Sequence, residues 1–192
     1  MFKRILGALL LGAAIAVPAQ AHGVRDFYLE EIIDGAAVAF QGTVTETHAA
    51  RDPESGRIVT FTTFIVQDAL KGSPGATHTI KQIGGELPAE GIGYKVDVRT
   101  SFVVGQSYVV FLYGKSRLGF SSPVGSTQGS FAVAQDADGA TVSNGRDYAA
   151  MTERLATDQA KAKALPKARA DGKKIGLDEF KQLVRGRTGG AK

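Results

Sequence analysis

Turn-forming residues recur about every ten residues between positions 36 and 145, which leaves room only for short stretches of regular structure. The segments between the turns are rich in β-branched and aromatic residues, as in "RIVTFTTFIVQDAL" (57–70) and "SYVVFLYG" (107–114). This pattern predicts about six to eight short strands that form an antiparallel barrel or an open sandwich. Because segment 107–114 is almost wholly apolar, we expect its strand to lie in the middle of a sheet.

Local composition predicts where these strands bend and end. Gly42 interrupts "AVAFQGTVTETHA" (37–49), and a glycine inside a strand usually marks a bulge. Turn-forming clusters and short alternating apolar runs predict four further features. These are turns at 52–56 and 136–139, a strand at 118–125, and a hairpin strand through Tyr94, Val96 and Val98.

Helices are predicted at both ends of the strand-rich region. The segment "RDFYLEEIIDGA" (25–36) predicts one or two helical turns that end near Gly35. In the C-terminal part, "GLDEFKQLVRG" (176–186) places four apolar residues on one stripe, with Gly186 as its end: Leu177, Phe180, Leu183 and Val184. We expect this stripe to dock on the sheet and to leave its lysines and arginines in solvent. The alternative is a detached tail that binds an anionic envelope surface.

Four segments carry a characteristic combination of motifs: "AAVAFQGTVTETHA", "TFTTFIVQDALKG", "HTIKQIGG" and "FVVGQSYVVFLYG". They include V-x-x-x-x-K-G from Val66 to Gly72 and G-x-x-Y-V-x-F-L from Gly105 to Leu112. Together they resemble a family of secreted, largely uncharacterised bacterial proteins. The barrel of that family resembles the netrin-like domain of tissue inhibitors of metalloproteinases, which is an OB-type fold. The resemblance covers roughly residues 35 to 135. It implies a mainly β protein with an OB-like/netrin-like antiparallel β-barrel, a short N-terminal helix and a C-terminal α-helical tail.

The resemblance also implies a binding role. OB-type barrels bind oligomers or protein partners through one face and its loops. The inhibitors present an N-terminal cysteine to the metal of a protease, but this chain has no cysteine, so that mechanism does not carry over. Lys71-Gly72 is interpreted as architecture: glycine turns the chain, while the lysine head stays in water and its stem covers the barrel rim.

The first 21 residues have the order of a secretory signal peptide. Lys3 and Arg4 precede an apolar run of about 13 residues, which is shorter than the roughly 20 of a membrane-spanning helix. Ala19-Gln20-Ala21 is a small-x-small cleavage triplet. We therefore expect a periplasmic or secreted protein without a transmembrane segment, cleaved after Ala21. We expect residues 22–146 to form the barrel domain and residues 147–192 to form a basic helical tail.

Charge is distributed unevenly along the chain. Residues 22–151 carry an excess of about four acidic groups, whereas residues 152–192 carry an excess of about six basic groups. A nucleic-acid-binding surface would interleave basic with aromatic residues, and the tail has one aromatic residue, Phe180. We therefore predict no nucleic-acid partner and leave open a weak contact between the tail and an anionic surface.

The chain shows no pattern typical of catalysis. No serine lies in a G-x-S-x-G motif, and "GSTQGS" (125–130) is interpreted as a strand connection because it lacks the lysine of a phosphate-binding loop. The interpretation is an exported, non-enzymatic binding module without a cofactor, whose partner is a protein or a peptide. The alternative from another class is an exported hydrolase with an unrecognised site.

His22 is the one candidate metal ligand. Cleavage after Ala21 would expose its α-amino nitrogen beside its imidazole, and two such nitrogens can chelate Cu(II). A copper site needs further ligands, and the other histidines are His48 and His78, of which His48 is expected to lie nearer to the N-terminal segment. By analogy with the inhibitors, His22 could instead cap the metal of a partner protease. The alternative is that His22 is a solvated chain end.

Overall fold

The computed structural model describes residues 25–96, 100–156 and 165–189. His22 and the expected signal peptide lie outside these residues. The helices are α1 (Leu29–Gly35), a short 3-10 helix (Pro88–Glu90), α2 (Tyr148–Ala156) and α3 (Leu177–Gly189). The strands are β1 (Val38–Arg51), β2 (Ile58–Lys71), β3 (Thr77–Ile83), β4 (Gly85–Leu87), β5 (Ile92–Tyr94), β6 (Ser107–Leu112), β7 (Ser130–Asp136), β8 (Gly139–Ser143) and β9 (Ile175–Gly176).

Seven of the strands form one antiparallel sheet in the order β3-β2-β1-β6-β7-β8-β9, and β4 pairs with β5 in a separate hairpin. The mainly β class is therefore confirmed. So is the central position of the apolar strand β6, which lies between β1 and β7. Where the strands are described, their pairing shows a large sheet ending at β3 and β9 and does not show a closed barrel. None of the helices in the described ranges is long and apolar enough to span a membrane.

The sheet has a hydrophobic core on each face. In β6, Val109 and Phe111 face a core shared with the three α-helices, while Val110 and Leu112 face a second core that includes Phe64. This alternation follows from the period of two residues along a strand. Burial on both faces explains why the sequence of β6 is apolar throughout.

The bulge predicted at Gly42 and the turns predicted at 52–56 and 136–139 are confirmed. The register of β1 against β2 shifts between Gln41 and Gly42, and a Cβ at Gly42 would lie 2.8 Å from the carbonyl oxygen of Ile65. The bulge allows two 14-residue strands to bend together around the second core. α1 also ends at Gly35, as predicted.

The C-terminal stripe docks on the sheet, as expected. Leu177, Phe180 and Val184 are buried in the core shared with α1 and α2, and Leu183 packs at its border. β9 extends the main sheet beside β8. The domain boundary at 146/147 stays a prediction.

The cations of α3 were expected in solvent; Arg185 is exposed and Lys181 and Arg187 are half-buried, and all three are paired with carboxylates of the body. Lys181 and Arg185 form ion pairs with Asp68 of β2, and Arg187 pairs with Asp34 at the end of α1. The basic tail thus packs on an acidic surface of the same molecule. The uneven charge along the chain is explained in part by this internal complementarity.

Three local predictions need correction. The segment 118–125 is a loop that forms one isolated bridge, between Pro123 and Leu112, and single backbone bonds to the sheet instead of a strand ladder. The hairpin strand is Ile92–Tyr94, so Val96 follows it and Val98 lies outside the described residues. α3 continues past Gly186 to residue 189, because contacts of Arg187 and Thr188 with the body hold its last turn.

Lys71 is also placed differently from the prediction. Its Nζ donates hydrogen bonds to the carbonyl oxygens of Ile33 at 2.8 Å and Asp34 at 3.0 Å. These carbonyls belong to the last turn of α1, where intrahelical donors are missing. Lys71 therefore caps α1 rather than extending into water.

Candidate binding site at the edge of β3

β3 ends the sheet, and its outer edge faces a cleft. The Val66 N–H donates to the Ala76 carbonyl, and the Gly84 N–H donates to the Ile58 carbonyl, each at 2.9 Å. Hydrogen bonds alternate along an antiparallel ladder. The backbone N–H and C=O groups of the even-numbered residues of β3 therefore bond to β2, and those of the odd-numbered residues point away from it. The residues whose backbone groups point outward are Thr77, Thr79, Lys81 and Ile83.

Across the cleft lies the segment 113–122, which follows β6. We call the cleft between this segment and β3 the seam. The Ser121 N–H donates to the Lys81 carbonyl at 3.0 Å, and within the described part of the chain this is the one backbone bond found across the seam. The outward N–H and C=O groups of Thr79 are consequently available to another strand.

A cavity lies on each side of the Ser121–Lys81 bond. The larger, of about 540 Å³, lies at the Ile83 end, and the smaller, of about 310 Å³, lies at the Thr77 end. Both have Ser121 and Tyr113 in their walls. The larger is mainly apolar, with walls that include Ile83, Val96, Tyr113, Leu118 and Phe120.

Two buried polar atoms of residues in the wall of the larger cavity have no hydrogen-bond partner among the described residues. They are Oε1 of Gln82 and Oγ of Ser121, and these residues are only 6% and 5% exposed. A buried polar group without a partner costs about 1–3 kcal/mol, so such groups are rare in folded proteins. An apolar cavity with a few converging polar atoms is the usual form of a ligand site.

A buried ion pair borders the larger cavity. Nζ of Lys81 lies 2.8 Å from Oδ1 of Asp52 and 4.9 Å from the centre of the Phe120 ring. The hydrogen bond to Asp52 raises the pKa of Lys81, and the hydrogen bonds from Lys81 and Ser55 hold the pKa of Asp52 below its ordinary value. Lys81 therefore stays protonated, so it is not available as a base toward a neighbouring hydroxyl such as that of Ser121. The pair instead ties the β1–β2 turn to β3.

The ion pair predicts a pH-dependent stability. A lowered pKa in the folded state means that Asp52 stabilises the fold above its unfolded pKa, about 4, and that this contribution is lost as the pH falls through the folded value. Because the pKa of Lys81 is raised, Lys81 contributes fully to the stability of the fold until the pH is strongly alkaline. Asp52→Asn should lower the Tm at neutral pH, because it leaves a buried ammonium group without its counter-charge. The difference from the wild type should shrink below about pH 4.

Thermal unfolding followed by circular dichroism over this pH range measures the difference. Glu54→Gln is the matched control, because Glu54 is exposed and lies 3.5 Å from the same ammonium group. Its effect should be smaller at every pH. An equal loss for Asp52→Asn at acidic and neutral pH would contradict this assignment.

The two histidines that the structure describes, His48 and His78, lie apart. His48 is half-exposed on β1, where its ring stacks on Phe61 at 5.4 Å and its Nδ1 lies 2.9 Å from a carboxylate oxygen of Glu46. His78 lies in the wall of the smaller cavity, with its Nδ1 3.1 Å from the carbonyl oxygen of Pro74. Burial lowers the pKa of His78, which favours its neutral form.

The described residues include no group of three or more histidine, aspartate or glutamate side chains arranged to hold a metal ion. His22 lies outside those residues, and its copper-binding role stays a prediction.

The predicted strand connection at 125–130 is confirmed, and it anchors the N-terminal segment. Gln128 accepts a hydrogen bond from the Phe27 N–H and donates one to the Arg25 carbonyl, both at 2.9 Å. Arg146 donates to the same Gln128 side chain at 2.7 Å. These side-chain hydrogen bonds hold the N-terminal segment against the 125–130 connection.

Sequence reasoning missed the seam residues Lys81, Gln82 and Ser121. A weak signal was present, because "IKQI" places two polar residues between two isoleucines in a strand. Comparisons of the chain with protein-family models, curated proteins and solved structures gave no match. The seam is therefore assigned from geometry.

Proposed function

We propose that this protein is an exported, non-enzymatic binding module, and that a protein or peptide partner binds at the seam by adding a strand to β3. The observation that carries the proposal is the outer edge of β3, which is open on both sides of the Ser121–Lys81 bond and lies beside a mainly apolar cavity. In strand addition, backbone hydrogen bonds supply affinity, and pockets for alternate side chains supply specificity. The seam offers both.

An OB-like, netrin-like barrel is part of this proposal. The Ser121–Lys81 bond supports it, because it joins the end strand β3 to the segment that leaves the central strand β6. The second core, with Phe40, Phe64 and Phe102, would then be the barrel interior. Export rests on the order of charged, apolar and small residues in positions 1–21.

The seam favours binding over hydrolysis by its chemistry. Among the described residues its buried ammonium group, that of Lys81, is paired with Asp52, and the walls of its larger cavity are mainly apolar. The exposed side chains of Tyr113 and Leu118 at the rim are suited to contact a partner. These features are better suited to binding an extended polypeptide than to activating a nucleophile.

Thr79→Pro should weaken binding at the seam strongly. Because the Thr79 N–H faces outward, proline there removes an edge donor and blocks strand addition while leaving the bonds to β2 intact. Peptides selected from a random display library on the purified protein should bind Thr79→Pro at least about ten-fold more weakly. Isothermal titration calorimetry measures this difference.

Thr79→Val is the matched control. It keeps the backbone donor but, like proline, loses the contact between the Thr79 and Thr63 hydroxyls at 3.0 Å. The selected peptides should bind this variant as they bind the wild type. Equal affinity for all three proteins would place binding away from the seam and would refute the proposal.

A further inference from the structure

Three exposed cations around the seam have no carboxylate partner among the described residues. Arg57 lies in the wall of the larger cavity, Lys115 lies in the wall of the smaller one, and Arg117 belongs to the segment between them. All three are exposed, and no carboxylate oxygen of the described residues lies within 4.0 Å of their charged nitrogens. The nearby acidic residues Asp52 and Glu54 are instead directed to Lys81.

Cations that connect elements elsewhere are paired. Arg51 pairs with Glu90, Lys174 pairs with Asp136, and the cations of α3 pair with carboxylates of the body. The seam therefore has a positive rim that carboxylates of the described residues do not neutralise. A negative partner would complement it.

From these observations we infer that the partner at the seam is an acidic segment of a protein in extended conformation, an inference that rests on the proposed function. Lys115 lies at the Thr77 end of β3 and Arg57 at the Ile83 end, and seven strand residues span about 20 Å. A strand added along the whole of β3 takes the place of the Ser121 N–H at the Lys81 carbonyl, and carboxylates about six residues apart in it reach both cations.

Between these carboxylates, the partner places an apolar side chain in the larger cavity. Tyr113 and Leu118, which are 40% and 42% exposed, are covered by it. An anionic lipid headgroup would match the charge but would leave the edge of β3 unpaired, so the open edge favours a peptide.

Three capped octapeptides with the same alternating apolar residues, carrying glutamate, glutamine or lysine at the remaining positions, test the inference. We expect affinity to fall in that order in fluorescence anisotropy titrations. The glutamate peptide should lose affinity about five-fold or more between about 50 and 300 mM salt, because exposed charges are screened. The double substitution Arg57→Gln/Lys115→Gln should reduce its affinity to that of the glutamine peptide.

The double substitution Lys167→Gln/Lys173→Gln is the matched control. It removes the same net charge from exposed positions of the C-terminal part, so it should leave the affinity of the glutamate peptide within about two-fold. A similar loss in both double variants would show a general charge effect and would overturn the inference.

The remaining outcomes separate this inference from the proposed function. If the glutamine peptide binds as tightly as the glutamate peptide and Thr79→Pro weakens both, the acidic partner is wrong and strand addition stands. If no peptide responds to Thr79→Pro, both are wrong. If Arg57→Gln/Lys115→Gln weakens binding to phosphatidylglycerol vesicles but not to peptides, a lipid surface replaces the peptide partner.

Discussion

Phe180→Ala is expected to lower the free energy of unfolding by about 3–5 kcal/mol, as is typical for removing a fully buried aromatic ring. Phe180 is 0% exposed, and its ring centre lies 4.8 Å from that of Phe131 and 6.0 Å from that of Phe111. Together with Leu177 and Val184 it joins α3 to the core of the sheet. Its loss leaves a cavity lined by rings that cannot collapse without moving the helix. Urea denaturation followed by circular dichroism measures the change.

Leu183→Ala in the same helix is the control. Leu183 is only partly buried at the border of that core, so its loss should cost about 1 kcal/mol. Equal effects of the two substitutions, or a loss of less than about 1 kcal/mol for Phe180→Ala, would show that α3 is not anchored through Phe180.

Gly72→Ala is expected to destabilise the protein by about 3 kcal/mol or more, because two effects combine. Gly72 has a φ of 65°, a left-handed backbone conformation that residues with a Cβ rarely adopt. A Cβ there would also lie 2.5 Å from the carbonyl oxygen of Ala37, in the connection between α1 and β1. Since that atom belongs to the backbone, it cannot move aside as a side chain could. Thermal and urea unfolding measure the loss.

Gly56→Ala separates the two effects. Gly56 has nearly the same φ, 67°, but a Cβ there would have no atom within 4 Å. This variant should lose about 1 kcal/mol, the cost of the left-handed conformation alone. If Gly72→Ala lowers the free energy of unfolding by no more than Gly56→Ala does, the close approach to Ala37 does not destabilise the variant.

The elements themselves could be predicted because their signals are local. The bulge at Gly42, the end of α1 at Gly35 and the central position of β6 follow from residues within each segment. Where the signals were weak or had to compete with tertiary contacts, the prediction was wrong. Gly186 should end a helix by its intrinsic preference, yet the ion pair of Arg187 with Asp34 keeps the last turn of α3 formed.

The candidate site could not be predicted in the same way. Arg57, Lys81 and Ser121 come from three separate segments, and strand periodicity says which face a side chain takes but not what it meets there. The burial of Lys81 is an example, since it depends on Asp52 in the β1–β2 turn, 29 positions away. Lysine is rarely buried without such a partner, and one sequence does not name the partner.

The sequence by itself determined the mainly β class, the apolar middle strand, the flanking helices and the contrast between an acidic body and a basic tail. Those properties depend on composition and period, which act within a few residues. Only the tertiary structure decided that Lys71 caps α1, that the tail cations pair with Asp68 and Asp34, and that β3 is left with an open edge. These contacts depend on which segments pack together. The packing is decided by the burial of apolar side chains from distant segments in two cores.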